Sequence, residues 1–187
     1  MKSNNQVKSV KSTVAIASRS ILFASLGMAG LLTSSSAHAD ATWGCTAGNW
    51  ESTNCWNTST IPGSNDNVYV NPVSGADTTL YFSNTAGTQS VNNILIDSTT
   101  VNNALFTQSG GTLSSGYEFI GIGGTGTFTQ SGGTNTVSNT LDLGFYSGSS
   151  GAYNLSSTGS LSAGNSEDIG YYGTGTFTQS GGTNTVR

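Results

Sequence analysis

The chain has 187 residues, of which only 7% are charged, and its formal net charge is −4 at pH 7. Four of the five basic residues and the only histidine, His38, lie within residues 1–39, so the rest of the chain carries nine acids against Arg187 alone, a net charge of −8. This balance excludes nucleic acid and anionic membranes as partners, because both are recognised through basic groups. It also excludes catalytic triads that depend on histidine.

Residues 1–39 have the layout of a secretory signal peptide. A basic leader precedes a mostly apolar run over residues 21–32, and Ala37-His38-Ala39 forms a small-residue cleavage motif ahead of Asp40. The apolar run is short for a bilayer span, which disfavours the alternative of a retained membrane anchor. The mature chain is therefore expected to begin at Asp40, to lack a stable membrane span, and to be extracellular or on the outer surface of a bacterium.

Residues 40–100 are predicted to form an N-terminal cap and the first coils of a repeat array. Cys45 and Cys55 are expected to pair, since a disulfide is the default for two cysteines in an exported protein. Two cysteines without a histidine do not complete a metal site, so neither a metal nor another cofactor is expected.

Three tryptophans, Trp43, Trp50 and Trp56, lie close to these cysteines in the sequence. We expect them to cover the end of the array, because the terminal units of stacked repeats need a distinct cap. The alternative is that they are exposed and stack on sugars.

A seven-residue string, Phe-Thr-Gln-Ser-Gly-Gly-Thr, occurs three times and marks a repeat array over residues 101–187. The copies start at Phe106, Phe128 and Phe177, and the segment from Tyr153 is a degenerate fourth copy, so the aromatic residue recurs at intervals of 22, 25 and 24 residues. Repetition at this period is the signature of a stacked architecture.

The repeat length predicts the fold. A unit of 22–25 residues fits one coil of a parallel β-helix, with three strands of about 4–5 residues at about 3.3 Å rise and tight turns between them. Gly-Gly pairs supply corners where φ is positive. The chain is therefore predicted to be an all-β parallel solenoid. An antiparallel β-sandwich or barrel is the alternative, and it is disfavoured because identical strands stack naturally in parallel register.

The repeats also predict which side chains face the interior. Side chains alternate along a strand, so the aromatic residue and the residue two positions later share a face. In the degenerate unit that later position is leucine instead of glutamine, which indicates an inward position. We expect buried amides there to bond like residues of adjacent coils. The predicted core stack consists of Phe106, Phe128, Tyr153, Phe177, Gln108, Gln130, Leu155 and Gln179.

Few side chains after residue 39 are suited to catalysis. Glu118 and Asp168 occupy related strand starts, and Glu167 and Asp142 lie nearby. Coil stacking would line Glu118, Asp142 and either Glu167 or Asp168 along one face, where two carboxylates can hydrolyse glycosides. We expect them instead to be solvated charges that keep a stacked sheet surface soluble. The glycines of residues 121–126 match a dinucleotide-binding pattern by letter, but a strand follows them where that pattern needs a helix. No catalytic residue is assigned.

Two segments resemble exported bacterial repeat proteins. The string Gly-Ile-Gly-Gly-Thr-Gly-Thr-Phe-Thr-Gln-Ser-Gly-Gly-Thr, from Gly121, resembles the repeats of autotransporter (type V secretion) passengers and of PEP-CTERM-sorted proteins. Trp50, Trp56 and Ile61-Pro-Gly-Ser-Asn-Asp-Asn-Val resemble the segment that opens the β-helix in such passengers. The resemblance covers residues 43–187, and it implies a right-handed parallel β-helix at the bacterial surface that is adhesive or matrix-forming and has no catalytic residues.

Together these features predict an exported cell-surface or matrix protein without catalytic activity, with surface polysaccharide or other cells as partners. The alternative is a β-helix protein that binds or cleaves polysaccharide, although lyases on this fold need basic residues. Neither the barrel of an autotransporter nor a PEP-CTERM tail follows the repeats, so the chain resembles an N-terminal fragment. Its open C-terminal coil is expected to self-associate, because a bare strand edge pairs with other chains.

Overall fold

The computed structural model describes residues 40–73 and 75–187, and the predicted signal peptide lies outside these residues. Short parallel strands dominate it, with two single-turn 3-10 helices at Thr53–Cys55 and Asn84–Ala86. In chain order the strands are β1 (Asp40–Thr42), β2 (Ala47–Asn49), β3 (Asn67–Val70), β4 (Thr78–Phe82), β5 (Thr88–Ser90), β6 (Asn93–Ile96), β7 (Ala104–Ser115), β8 (Tyr117–Ile120), β9 (Thr125–Val137), β10 (Thr140–Leu143), β11 (Ser150–Leu155), β12 (Ser160–Ala163), β13 (Ser166–Ile169), β14 (Thr174–Gln179) and β15 (Thr183–Val186).

The strands form three faces of a solenoid. Face 1 is a six-stranded sheet in the order β1-β3-β6-β8-β10-β13. The second sheet is bent: β2, β4, β11, β14 and the first halves of β7 and β9 make face 2, whereas β5, β12, β15 and the second halves of β7 and β9 make face 3. The chain visits the three faces in turn and pairs in parallel with the coil before it. It therefore winds about six times, and the predicted parallel β-solenoid is confirmed.

Coil length is not uniform along the solenoid. On face 2 the aromatic residues Phe106, Phe128, Tyr153 and Phe177 are successive register partners, so the coils in the repeat region have the lengths that their spacing predicts. Leu80, however, is the register partner of Phe106, which makes the preceding coil 26 residues long. The first coils are longer because they carry the loops that the shorter repeats lack.

Glycine makes the corner between face 2 and face 3. In each of three Gly-Gly pairs the second residue, Gly111, Gly133 or Gly182, has a positive φ of 69–71°. A Cβ at Gly133 would collide with the backbone of Gly110 and Gly111 in the coil below. The repeated Gly-Gly is thus required twice over, for its backbone angle and for the close approach of adjacent coils.

The predicted aromatic stack lies in the solenoid interior. Phe106, Phe128 and Tyr153 have no exposed surface, and the ring centroids of each successive pair are 4.7 Å apart in near-parallel planes. Phe177 continues the stack at 5.5 Å from Tyr153 and is half-buried. One ring per coil therefore forms a continuous column, with offset stacking adding to the stabilisation from burial.

The glutamine column shares this interior but bonds differently from the prediction. Gln108 and Gln130 are buried, as is Leu155, whereas Gln179 is exposed. Nε2 of Gln108 donates to the backbone carbonyl of Thr134, and Nε2 of Gln130 donates to that of Ser160, each at 3.0 Å. In both cases the carbonyl lies on face 3 of the next coil. The prediction that these amides bond like amides of adjacent coils is therefore wrong. The pairing register of β7 and β9 breaks at the corner, and the glutamines bond the backbone carbonyls that lie within reach there.

The three tryptophans fill the N-terminal end of the solenoid. All of them are at most 2% exposed, and Trp56 packs edge-on against Trp43 and Trp50 with ring centroids 5.0 and 5.2 Å apart. The Trp56 indole N–H donates to the Trp50 carbonyl at 2.8 Å, and Trp50 contacts Phe82 of the core. The cap is therefore continuous with the core, and the alternative that these tryptophans stack on sugars is wrong.

The predicted disulfide is confirmed: Cys45 and Cys55 are bonded, ten residues apart in the sequence. Replacing both with serine is expected to lower the free energy of unfolding by about 2–3 kcal/mol, mainly because the open loop gains entropy in the unfolded chain. Urea denaturation of the oxidised protein, the reduced protein and the double variant measures this. The reduced protein and the variant should share a lowered midpoint, and three coinciding midpoints would contradict the prediction.

Candidate functional site

The four acidic side chains named from the sequence lie on face 1, but not on one side of it. Glu118 and Glu167 are both register partners of Leu141, and Asp142 is the register partner of Asp168. Because side chains alternate along a strand, the two glutamates point into the solenoid and the two aspartates point out. The prediction of a single row of carboxylates is therefore wrong: the two glutamates lie inside the solenoid and the two aspartates lie on its outer side.

Glu118 belongs to the interior and not to the solvated surface that was predicted for it. It has no exposed surface, and it accepts hydrogen bonds from the Ser115 hydroxyl at 3.1 Å and from Nδ2 of Asn135 at 3.0 Å. Burial raises the pKa of Glu118 to about 7, and the hydrogen bonds from Asn135 and Ser115 oppose that shift only in part. A residue without exposed surface cannot meet a substrate, so its role is structural.

The same polar pair recurs two coils further along. Nδ2 of Asn184 donates to Glu167 at 2.9 Å, as Nδ2 of Asn135 does to Glu118. In the coil between them leucines occupy both positions, Leu141 that of the glutamate and Leu161 that of the asparagine. Acid and amide are thus replaced together by two leucines, which keeps either version of the coil free of a lone buried charge.

The outer aspartates form a close carboxylate pair. Asp142 is only 4% exposed, and its partner Asp168 on the next strand is half-buried. Burial, followed by the charge of Asp168 and a hydrogen bond between the two carboxyl groups, raises the pKa of Asp142 to about 6. The Asp142 carboxyl therefore holds its proton under mildly acidic conditions in which an ordinary aspartate is ionised.

Six aromatic side chains lie on or just beyond the outer side of face 1, beside these aspartates. Phe145 and Tyr171 stack across adjacent coils with ring centroids 5.4 Å apart, and Phe119 meets Phe145 edge-on at 5.8 Å. Tyr146 and Tyr172 each stand nearly perpendicular to the neighbouring ring. We call this surface the aromatic patch, and it consists of Tyr117, Phe119, Phe145, Tyr146, Tyr171 and Tyr172.

Glycine positions the most exposed part of the aromatic patch. Gly144 and Gly170 end their face 1 strands with φ of 71° and 77°, a conformation that glycine adopts without strain. An aromatic doublet follows each of them, and the backbone N–H of Tyr172 donates to the Phe145 carbonyl at 3.1 Å, which sets the two doublets in register. The signal for the patch in the sequence is this repeated Gly-aromatic-Tyr step.

The aromatic patch is open to solvent and rich in hydroxyl groups. Tyr146, Tyr171 and Tyr172 are 56%, 53% and 67% exposed. The Tyr171 hydroxyl donates a hydrogen bond to Tyr172, which raises the pKa of the Tyr171 phenol, so the hydroxyl stays protonated at neutral pH. The surface therefore offers apolar ring faces, neutral hydroxyls and a carboxylate side by side. These are the groups that bind a polyhydroxylated ligand.

Comparisons of the chain with models of protein families, with curated proteins and with solved structures found no match. In residues 40–73 and 75–187, no helix is long and apolar enough to cross a membrane. The fold and the surface define a class of protein, a parallel β-solenoid with an exposed aromatic patch on one face.

Proposed function

We propose that the chain is an exported bacterial cell-surface or matrix protein, a non-catalytic scaffold that adheres to polysaccharide through the aromatic patch. The observation that carries this proposal is the cluster of three exposed tyrosines, Tyr146, Tyr171 and Tyr172, on adjacent coils. Contiguous exposed apolar surface marks an interaction site, and tyrosine suits one because its ring is apolar and its tip is polar.

The chemistry of the aromatic patch favours a neutral glycan. Sugar rings have apolar faces that stack on aromatic side chains, and their hydroxyls pair with phenols and carboxylates. A net charge of −8 over residues 40–187 repels acidic polymers. Rings from successive coils are 5.4–5.8 Å apart, comparable to the length of one sugar unit, so an extended chain lying along the solenoid axis would meet one ring per sugar.

Two arguments support the absence of catalysis. The two carboxyl groups of a glycoside hydrolase are about 5–5.5 Å apart in retaining enzymes and about 6.5–9.5 Å apart in inverting ones. Asp142 and Asp168 are direct register partners on adjacent strands, and Asp142 is only 4% exposed, so a sugar cannot reach between their carboxyl groups. Residues 40–187 also contain neither histidine nor lysine to act as a base.

Export and surface location rest on two further supports. The Cys45–Cys55 disulfide suits an oxidising compartment. The repeats resemble those of autotransporter passengers and PEP-CTERM-sorted proteins, which reach the cell exterior. We therefore propose that the solenoid stands outside the cell and presents face 1 to surrounding polysaccharide.

Replacing Tyr172, the most exposed ring of the aromatic patch, with alanine is expected to weaken glycan binding about tenfold, the effect of losing one aromatic contact. Affinity electrophoresis through gels that contain a soluble β-glucan, a xylan or an alginate measures this. The unmodified chain should be retarded by a neutral polymer and not by the alginate. Tyr81→Ala is the matched control, because Tyr81 is 43% exposed on face 2, away from the aromatic patch. No retardation by any of the polymers, or equal losses in the two variants, would defeat the proposal.

A further inference from the structure

Face 3 carries two columns of hydroxyl side chains that run through all five of its strands. In each strand the two hydroxyl residues are separated by one inward-facing residue, such as Leu113 or Asn135. Parallel register aligns them from coil to coil without a break. One column is Thr88, Thr112, Thr134, Ser160 and Thr183, and the other is Ser90, Ser114, Thr136, Ser162 and Thr185.

These ten hydroxyls face solvent and are not used by the protein. No hydrogen bond joins any of their side chains to another group in the described part of the chain. No acidic or basic residue interrupts the columns, although residues 40–187 carry nine acids. The acids of the repeat region lie on face 1, so face 3 is a neutral surface of small, regularly placed hydroxyl groups.

The columns form a two-dimensional net of fixed dimensions. Adjacent coils are about 4.8 Å apart, and two residues along a strand span about 6.7 Å. The stacked rings of Phe106 and Phe128 in the core, at 4.7 Å, follow the same coil spacing. Oxygen positions on the prism faces of hexagonal ice repeat on a rectangular net of similar dimensions.

We infer that face 3 binds ice. A serine or threonine hydroxyl that bonds a sugar gives up an equivalent bond to water, so it gains little, and face 3 lacks the aromatic platform that would make a sugar stack. With ice the partner is water itself. Binding to ice then depends on whether many hydroxyl groups, each contributing little, match the ice lattice at the same time. Ten aligned hydroxyls on a rigid sheet satisfy that condition. This inference is independent of the proposed glycan adhesion, which uses face 1.

The test compares ice binding by the full chain with that of variants on and off face 3. Thr134 lies in the middle coil of its column, and Thr134→Tyr places a bulky ring in the net, whereas Thr134→Ser keeps the hydroxyl. Thr129→Tyr makes the same change on face 2 and serves as the control. The measurements are partition into growing ice and inhibition of ice recrystallisation, with the melting temperature of each variant to verify folding.

We expect the unmodified chain to enter ice and to inhibit recrystallisation. Thr134→Tyr should need about ten times more protein for the same inhibition, because one protruding group lifts a rigid surface from its partner. Thr134→Ser and Thr129→Tyr should stay close to the unmodified chain.

Any one of the following results would overturn the inference. They are absence of any effect of the unmodified chain on ice, full activity of Thr134→Tyr, equal losses in Thr134→Tyr and Thr129→Tyr, and Thr134-dependent binding to crystalline cellulose without an effect on ice. Sedimentation adds a further check, because a dimer that Thr134→Tyr dissociates would assign face 3 to a second copy of the chain.

Discussion

Replacing Phe128 with alanine is expected to lower the free energy of unfolding by about 3–5 kcal/mol, the usual cost of truncating a fully buried phenylalanine. Phe128 has no exposed surface and stacks between Phe106 and Tyr153 with centroids 4.7 Å away on each side. The cavity cannot collapse easily, because backbone pairing fixes the coil spacing above and below it. Urea denaturation followed by circular dichroism measures the loss.

Two comparisons make this result specific to the column. Thr129→Ala, one residue further along and pointing outward, should cost well below about 1 kcal/mol. Phe177→Ala should lie between the two, because Phe177 is half-buried and stacks at 5.5 Å on Tyr153. If Phe128→Ala and Thr129→Ala were equally destabilising, the assigned orientation of β9 would be wrong.

The second large effect depends on pH and comes from Glu118. Its pKa is about 7 in the folded protein and 4.5 for an ordinary glutamate, so the folded state holds the proton more tightly than the unfolded state. The resulting stabilisation is complete below about pH 4.5 and is lost as the pH rises through 7. It amounts to about 3 kcal/mol between pH 4 and pH 8. Glu118→Gln, which does not ionise, should remove this loss.

The informative quantity is the difference in stability between Glu118→Gln and the unmodified chain, measured by urea denaturation at several pH values. Other carboxylates titrate in both proteins and cancel in that difference. The free energy of unfolding of Glu118→Gln, relative to that of the unmodified chain, should rise steadily above about pH 5 and level off near pH 8. Glu167→Gln is the matched control, because Glu167 makes the equivalent bond to Asn184 but is only half-buried. A flat difference curve for Glu118→Gln would show that its carboxylate is solvated after all.

The repeat made the architecture predictable from sequence. Near-identical strings at one period can bury their apolar side chains only by stacking on one another, so the aromatic positions report both the coil and the inward direction. Replacement of glutamine by Leu155 supplied the orientation of the next inward column. The cap was predictable for the opposite reason, because a segment with three tryptophans and a disulfide does not fit the repeat.

The details that escaped prediction are those in which a single-residue offset matters. Glu118 was aligned with Asp168, whereas its equivalent in the stack is Glu167, and an offset of one residue moves a side chain from the outer to the inner side of a sheet. That offset hid both the buried Glu118–Asn135 pair and the outward Asp142–Asp168 pair. The aromatic patch was missed along with them, since four of its six rings follow the glycines after β10 and β13 and belong to no alternating pattern.

The acid–amide pairs of the interior have a consequence for how such a protein lengthens. Glu118 bonds Asn135, 17 residues away, and Glu167 bonds Asn184 at the same separation. Each pair is thus encoded within less than one coil, while the ladder between coils is made by backbone groups that any sequence supplies. A copying error that inserts or removes whole coils would leave no buried carboxylate without its amide. Identical stretches at residues 124–137 and 173–186, 49 residues apart, have the form of such an event. The number of coils can therefore change during evolution without passing through an unfoldable intermediate.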